Sequence, residues 1–226
     1  LLNLYGDSGN VKVLKKQLDN QGINTEIHFL TTDDELDFNK YDLIYIGAGT
    51  ENNQKIALKH LTKYKDDIKN CIENNKFFLI TGNSIEMFGK YIIDKNENKY
   101  EALGIFPYHA KETNFRMIED CIFKSEFLND YVIGFQNQSS TIFENVNQMF
   151  EVISGIGSHP NSQTEGVLYN NFYGTYLIGP VLARNPEFLI HITKKLITSK
   201  DREYKFKDWD LDIEKKAYKN FLENKF

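Results

Sequence analysis

The residues Phe77-Phe78-Leu79-Ile80-Thr81-Gly82-Asn83-Ser84-Ile85-Glu86-Met87-Phe88-Gly89 decide how this chain is read. Residues 77–80 are apolar and uncharged, the pattern of a strand covered on both faces. The run breaks at a small polar turn, after which Ile85, Phe88 and Gly89 share one helical face. Strand, tight turn and helix together present one side chain at the carboxyl edge of a sheet, the geometry of a nucleophile elbow. No cysteine stands in this turn.

On the N-terminal side, residues 41–46 read as a second buried strand, which ends in Gly47-Ala48-Gly49-Thr50. A glycine-rich turn at that end of a parallel strand sets backbone N–H groups beside the ligand crevice of an open sheet. It is not a dinucleotide fingerprint, because the third glycine and the acidic residue downstream are lacking. A long helix is predicted over residues 54–74. Asp7, Ser8 and Asn10 are N-cap types ahead of a helix over 11–20, with Val11, Leu14 and Leu18 at helical spacing. Residues 24–30 alternate as a strand, with Ile27 and Phe29 on one face. Leu1, Leu2 and Leu4 read as the tail of a loop after a first strand ahead of the numbering, and the chain opens without Met, so a missing N-terminal piece is expected.

On the C-terminal side the pattern turns to hairpins. Residues 91–94 and 99–103 flank the polar turn Lys95-Asn96-Glu97-Asn98, and 109–124, 130–135, 141–144 and 151–153 read as further strands. Residues 164–180 predict a strand pair with a Gly-Pro stop. Pro186 opens a helix over 187–199 with Phe188, Leu189, Ile192 and Leu196 inward, and a last amphipathic helix is expected around 209–222. The expected fold is α/β: a doubly wound, mostly parallel sheet with helices on both faces and added antiparallel strands. We expect one domain over residues 1–200, with 201–226 as its helical extension.

The 226 residues carry a net charge of -5, which argues against a nucleic-acid grip. No apolar run approaches the ~20 residues that a membrane helix needs. Cys71 and Cys121 make neither a disulfide scaffold nor a four-ligand zinc site and are expected as free, buried thiols in a reducing cytoplasm. Glu51, Asn52 and Asn53 do not make a metal pattern, and neither metal nor cofactor is expected. Glu51 and Glu86 read as acids complementing helix N-termini, and His191 as a surface or capping residue.

Several segments together resemble the class I glutamine amidotransferases, most closely the cobyric-acid-synthase-like branch. Leu2-Asn3-Leu4-Tyr5-Gly6-Asp7-Ser8-Gly9-Asn10 looks like that branch's N-L-Y-G-D-x-G-N. Asp42-Leu43-Ile44-Tyr45-Ile46-Gly47-Ala48-Gly49-Thr50-Glu51-Asn52-Asn53-Gln54 is similar to D-L-x-x-I-G-G-G-Q-D-x-x-Q. Gly134-Phe135-Gln136-Asn137 is near G-F-E-N, Thr164-Glu165-Gly166 also matches, and Gly174-Thr175-Tyr176-Leu177-Ile178-Gly179-Pro180 mirrors G-T-Y-L-H-G-P. The resemblance implies a flavodoxin-like fold and glutamine hydrolysis by a Cys activated by a His, in a subunit that works beside a Mur-ligase-like synthetase in cell-wall precursor amidation.

Laid on the family elbow I-C-G-G-Y-Q-x-L-G, the chain puts Gly82 at the nucleophile position and Ile178 at the base position. Hydrolysis through a thioester needs a thiolate, and a base that later protonates the departing ammonia. Neither Gly82 nor Ile178 can serve. Ser84 is the fallback nucleophile, with His109, His159 and His191 as its conceivable bases. Gly47, Ala48, Gly49, Gly82, Asn83 and Gln138 (where the family often carries His) are the expected contacts for glutamine or another small molecule. Three readings stay open: a silent subunit, a hydrolase using Ser84, and an unrelated flavodoxin-like binding protein.

Overall fold

In a computed structural model, which describes residues 1–225, the chain builds a nine-stranded sheet. Its strands are β1 (Leu43–Ile46), β2 (Phe77–Thr81), β3 (Tyr91–Ile93), β4 (Lys99–Glu101), β5 (His109–Ser125), β6 (Asp130–Phe143), β7 (Gln148–Ser154), β8 (Thr164–Tyr169) and β9 (Phe172–Thr175). They lie in the order β1-β2-β9-β8-β7-β5-β3-β4, with β6 on β5. The end that carries the elbow is parallel, β2 being flanked by β1 and β9. The added strands pair antiparallel through β5–β6, β5–β7, β7–β8 and β8–β9.

β2 is buried along its whole length because each face meets its own core. Phe77 and Leu79 join a cluster with Leu14 and Leu18 of α1 (Gly9–Asn20), and with Phe188, Leu189 and Ile192 of the Pro186–Thr198 helix. Phe78 and Ile80 face Leu58 and Leu61 of α2 (Glu51–Leu61) and Ile68 and Ile72 of α3 (Lys65–Glu73). Full burial of one such side chain stabilises by about 1.5–3 kcal/mol, so this alternation anchors the strand from both sides. Val181–Arg184 is α4, Pro186–Thr198 is α5 and Asp212–Glu223 is α6.

Five expectations on secondary structure need correction. Residues 24–30 form no ladder: burial alternates only as far as His28, and Phe29 is exposed rather than sharing a buried face with Ile27. The helix over 54–74 is broken between α2 and α3 at Thr62–Tyr64, where the Thr62 hydroxyl donates back to the Leu58 carbonyl at 2.8 Å. The elbow helix is a single 3₁₀ stretch, Gly82–Phe88, with Tyr108 donating to the Ile85 carbonyl at 2.6 Å. Trp209 precedes α6, its ring stacked on Phe206 with centroids 5.9 Å apart. Residues 130–135 and 141–144 are parts of one long strand, β6. The hairpin of β3 and β4, the pair β8 and β9, and the Pro186 helix stand as the sequence predicts.

Candidate functional site at the elbow

The carboxyl ends of β1, β2 and β9 converge on one point. β2 runs into Gly82, whose φ of +62° is left-handed and favours glycine. The Gly82 N–H donates to the Leu177 carbonyl at 3.3 Å, which ties the elbow to the segment after β9. Ile178 is fixed there by donating its N–H to Phe135 of β6 at 2.9 Å. A Cβ built on Gly82 would stand 2.5 Å from the Ala48 Cβ and 3.1 Å from the Ile178 Cγ2. The space where a side chain at position 82 would start is thus taken by two hydrocarbon groups.

The glycine-rich turn after β1 is held by side chains. Asp7, fully buried, accepts from the Ala48 N–H at 2.6 Å and from the Gly179 N–H at 3.0 Å. It clamps the two turns on either side of the elbow. Sequence reasoning took Asp7 for a helix cap; its carboxylate instead satisfies buried backbone donors, and Ser8 occupies the cap position. Burial pushes the Asp7 carboxyl up to about 6 against the opposing pull of those two donors. Replacing Asp7 by Ala orphans both N–H groups and is expected to cost about 2–3 kcal/mol, read as a lower urea midpoint at pH 7.5. The Gly49 N–H donates to the Asn83 Oδ1 at 3.1 Å, and the Ser84 hydroxyl donates to the Gly47 carbonyl at 2.6 Å.

Glu86, at the start of the sequence reading a dipole-complementing acid, is instead the buried hub of the elbow helix. Its Oε1 accepts from the Tyr176 hydroxyl at 3.0 Å and from the Ser140 hydroxyl, and its Oε2 accepts from Gln54 at 2.8 Å. Burial drives its carboxyl up to about 7 despite these donors. Glu165 has the same character: it accepts from Tyr176 N–H and the Thr175 hydroxyl, both at 2.7 Å, and burial raises it to about 7. An acidic residue inside an otherwise apolar helix pattern was the signal for Glu86.

Gln138 lies on the inward face of β6 between Gln136 and Ser140, and its amide donates to the Ser140 carbonyl at 3.2 Å. Glu51 begins α2, as expected of a dipole partner, and also accepts from Arg116 at 3.0 Å. The histidines stand elsewhere. His109 stacks on Tyr91, His159 stacks on Phe143, and His191 sits half-buried among Phe127 and Tyr173. His191 is thus not a surface or capping residue; burial and Lys195 hold its imidazole down to about 4. Cys71 and Cys121 are both buried and free. Two surface grooves of about 520 and 220 Å³ are lined by residues such as Lys65, Lys99, Lys69 and Phe106, away from the elbow. Among the described residues no group of His, Cys, Asp and Glu is arranged to hold a metal, and no helix is long and apolar enough to cross a membrane.

Residues 1–186 match the CobB/CobQ-like glutamine amidotransferase domain. The chain belongs to the CobB/CobQ-like glutamine amidotransferase family. Among curated proteins, this family member is 29% identical over 225 residues to the lipid II isoglutaminyl synthase (glutamine-hydrolyzing) subunit GatD of Streptococcus pneumoniae, with 98% of this chain and 84% of that one covered. It is 27% identical to the GatD subunit of Staphylococcus aureus, with 96% and 88% covered. The fold is that of known amidotransferase structures. A chain of the PurLQS structure from Thermotoga maritima aligns with a TM-score of 0.53 at 15% identity, over 93% of this chain and 92% of that one. A crystal structure of a glutamine amidotransferase aligns at 0.55 and 16%, over 86% and 96%.

Proposed function

We propose that this amidotransferase-family chain is a catalytically silent, GatD-like subunit that binds a Mur-ligase-like synthetase in cell-wall precursor amidation and does not itself hydrolyse glutamine. The elbow carries this reading. Gly82 takes the nucleophile position without a side chain, and Ala48 and Ile178 fill the space beside it. Loss of paired nucleophile and base costs about 10⁶ in kcat in comparable enzymes. Ser84 is a poor replacement, because its hydroxyl is buried and donates to the Gly47 carbonyl. His109 and His159 have their rings stacked in other parts of the fold, and that of His191 is tilted against Phe127.

The partner role is supported by the relatives, which are named as subunits of lipid II isoglutaminyl synthase. Free buried thiols fit a cytoplasmic setting. We take residues 201–226 as an extension of one domain, since Lys215 of α6 pairs with Glu187 of α5 at 3.2 Å. A small amide entering the crevice would meet Gly47, Ala48, Gly49, Gly82, Asn83 and Gln138. At the turn it would have to displace the Asp7 and Asn83 side chains.

Purified chain incubated with glutamine is expected to release ammonia at the rate of the buffer blank, and to co-purify with a Mur-ligase-like protein when the two are expressed together. Ammonia release above the blank that disappears in Ser84→Ala would replace the silent subunit with a serine hydrolase.

A further inference from the structure

Tyr91 of β3 stands opposite Glu101 of β4, and Lys99 lies two residues before Glu101, so all three share one face of this antiparallel hairpin. Thr62 and Lys65 mark the junction where the turn after α2 passes into α3. The hairpin and this junction together line the larger surface groove, of about 520 Å³, with Lys90 and Gly104 completing its wall. That wall is fixed by the backbone. The Ala102 N–H donates to the Lys90 carbonyl at 3.0 Å, and the Gly104 N–H donates to the Gly89 carbonyl at 2.6 Å.

Three lysines and one glutamate line the groove, a local excess of positive charge on a chain whose net charge is -5. Their neutralisation is incomplete. Lys65 enters no ion pair among the described residues, and its ammonium lies 3.3 Å from where a Cβ on Gly104 would stand. Gly104 has a left-handed φ of +61°, which favours glycine, and that glycine leaves the ammonium its room. Lys90 reaches only Glu144, at 3.8 Å, beyond hydrogen-bond range. Lys99 does meet Glu101 at 2.8 Å, with its ammonium 4.2 Å from the centre of the Tyr91 ring. Both partners of that pair are exposed, where such a contact contributes little and yields to a stronger anion. Elsewhere Lys15, Lys55 and Lys111 each lie within 3.0 Å of a carboxylate.

We propose that this groove binds a soluble metabolite carrying a phosphate chain, a pyrophosphate or longer, whose oxygens are held by Lys65, Lys90 and Lys99. Residue type selects phosphate over carboxylate. No arginine lines the groove, so it lacks the planar fork that grips a carboxylate at two points. Ammonium groups act as point charges and suit oxygens spread along a chain. Size sets the rest of the ligand. A volume of about 520 Å³ falls inside the range of about 300–1,000 Å³ for small-molecule pockets, which leaves space for an organic group beyond the phosphates. Glu101 is the competitor that occupies Lys99 until a ligand phosphate displaces it. The inference stands whether or not the elbow is silent.

The test titrates the full chain with inorganic pyrophosphate in low-salt buffer and reads the heat of binding. Lys65→Ala combined with Lys90→Ala is expected to weaken binding at least about tenfold through lost charge-assisted hydrogen bonds. Lys12→Ala combined with Lys200→Ala makes the same change in net charge elsewhere on the surface and is expected to alter binding by less than about twofold. Glu101→Gln removes the competing carboxylate and is expected to tighten binding about threefold. No binding to the parent chain, or equal losses in the two double variants, would overturn the proposal. So would a hexaglutamate peptide that binds as tightly as pyrophosphate, which makes the groove a dock for an acidic protein segment. Sedimentation with phosphatidic acid vesicles in the absence of pyrophosphate binding would overturn it too, by placing the phosphates on a lipid surface.

Discussion

Gly82→Ala is expected to lower the stability of the fold by about 2–4 kcal/mol, an effect far above that of an ordinary surface change. Two terms produce it. A φ of +62° places the new Cβ in the left-handed region, at about 1–2 kcal/mol. The same Cβ would stand 2.5 Å from that of Ala48, and relief of such overpacking costs about 1–3 kcal/mol. The smaller conformational freedom of the unfolded Ala chain offsets about 0.4–1 kcal/mol. Because one clashing atom belongs to Ala48, Ala48→Gly in the Gly82→Ala background should return about 1–2 kcal/mol, the coupling of a direct contact. Urea unfolding of the two single variants and the double variant measures this cycle. Additive losses would mean that Ala48 does not fill the site. Gly82→Cys meets the same two carbons, and with Ile178→His the Ala48 Cβ still stands 2.5 Å from the new Cβ, so the double variant is expected to stay without glutaminase activity.

What the sequence reveals follows from where the information is local. The buried alternation of residues 77–80 and the small turn after it were enough to place β2 and the elbow, because each residue type there answers to its own neighbours. The turn of Gly47–Gly49 and the segment holding Ile178 were also legible, and the structure brings them to Gly82. The parts that failed depend on partners distant in the chain. Residues 24–30 have the alternation of a strand, but a ladder needs a neighbour, and periodicity says nothing of that. Asp7 and Glu86 looked like helix-end acids because their true partners, Gly179 and Ser140, are 172 and 54 positions away. His191 resembled a surface residue because Phe127, from the turn between β5 and β6, packs on it from a distant part of the chain.

Raising the pH from 5 to 7.5 is expected to destabilise the protein, the reverse of the usual behaviour of a domain rich in paired carboxylates. The folded-state values of Glu86 and Glu165 stand near 7 and that of Asp7 near 6, against ordinary values of 4.5 and 3.8, and burial is the largest cause in each. A carboxyl whose value is raised by folding holds its proton longer in the native state than in the unfolded chain. Between the two values the native state therefore binds more protons, and unfolding becomes easier as pH rises. For Glu86 the interval runs from about 4.5 to about 7, which corresponds to about 3 kcal/mol lost across it. His191, held down to about 4, offsets part of this loss up to about 6.5, and Asp94 acts in the opposite sense at lower pH, since its hydrogen bonds from Asn98, Asn96 and Tyr100 hold it down to about 2. Its contribution is already complete above its unfolded value, so maximum stability should fall at about pH 4–5. Glu86→Gln removes the titration while keeping the shape of the side chain. Urea midpoints at pH 5, 6, 7 and 8 should then decline less steeply for this variant than for the parent chain. A parent chain that gains stability over the same interval, or a variant with an unchanged slope, would show that Glu86 is ionised within the native elbow. In that case Tyr176, Ser140 and Gln54 would be stabilising a buried charge.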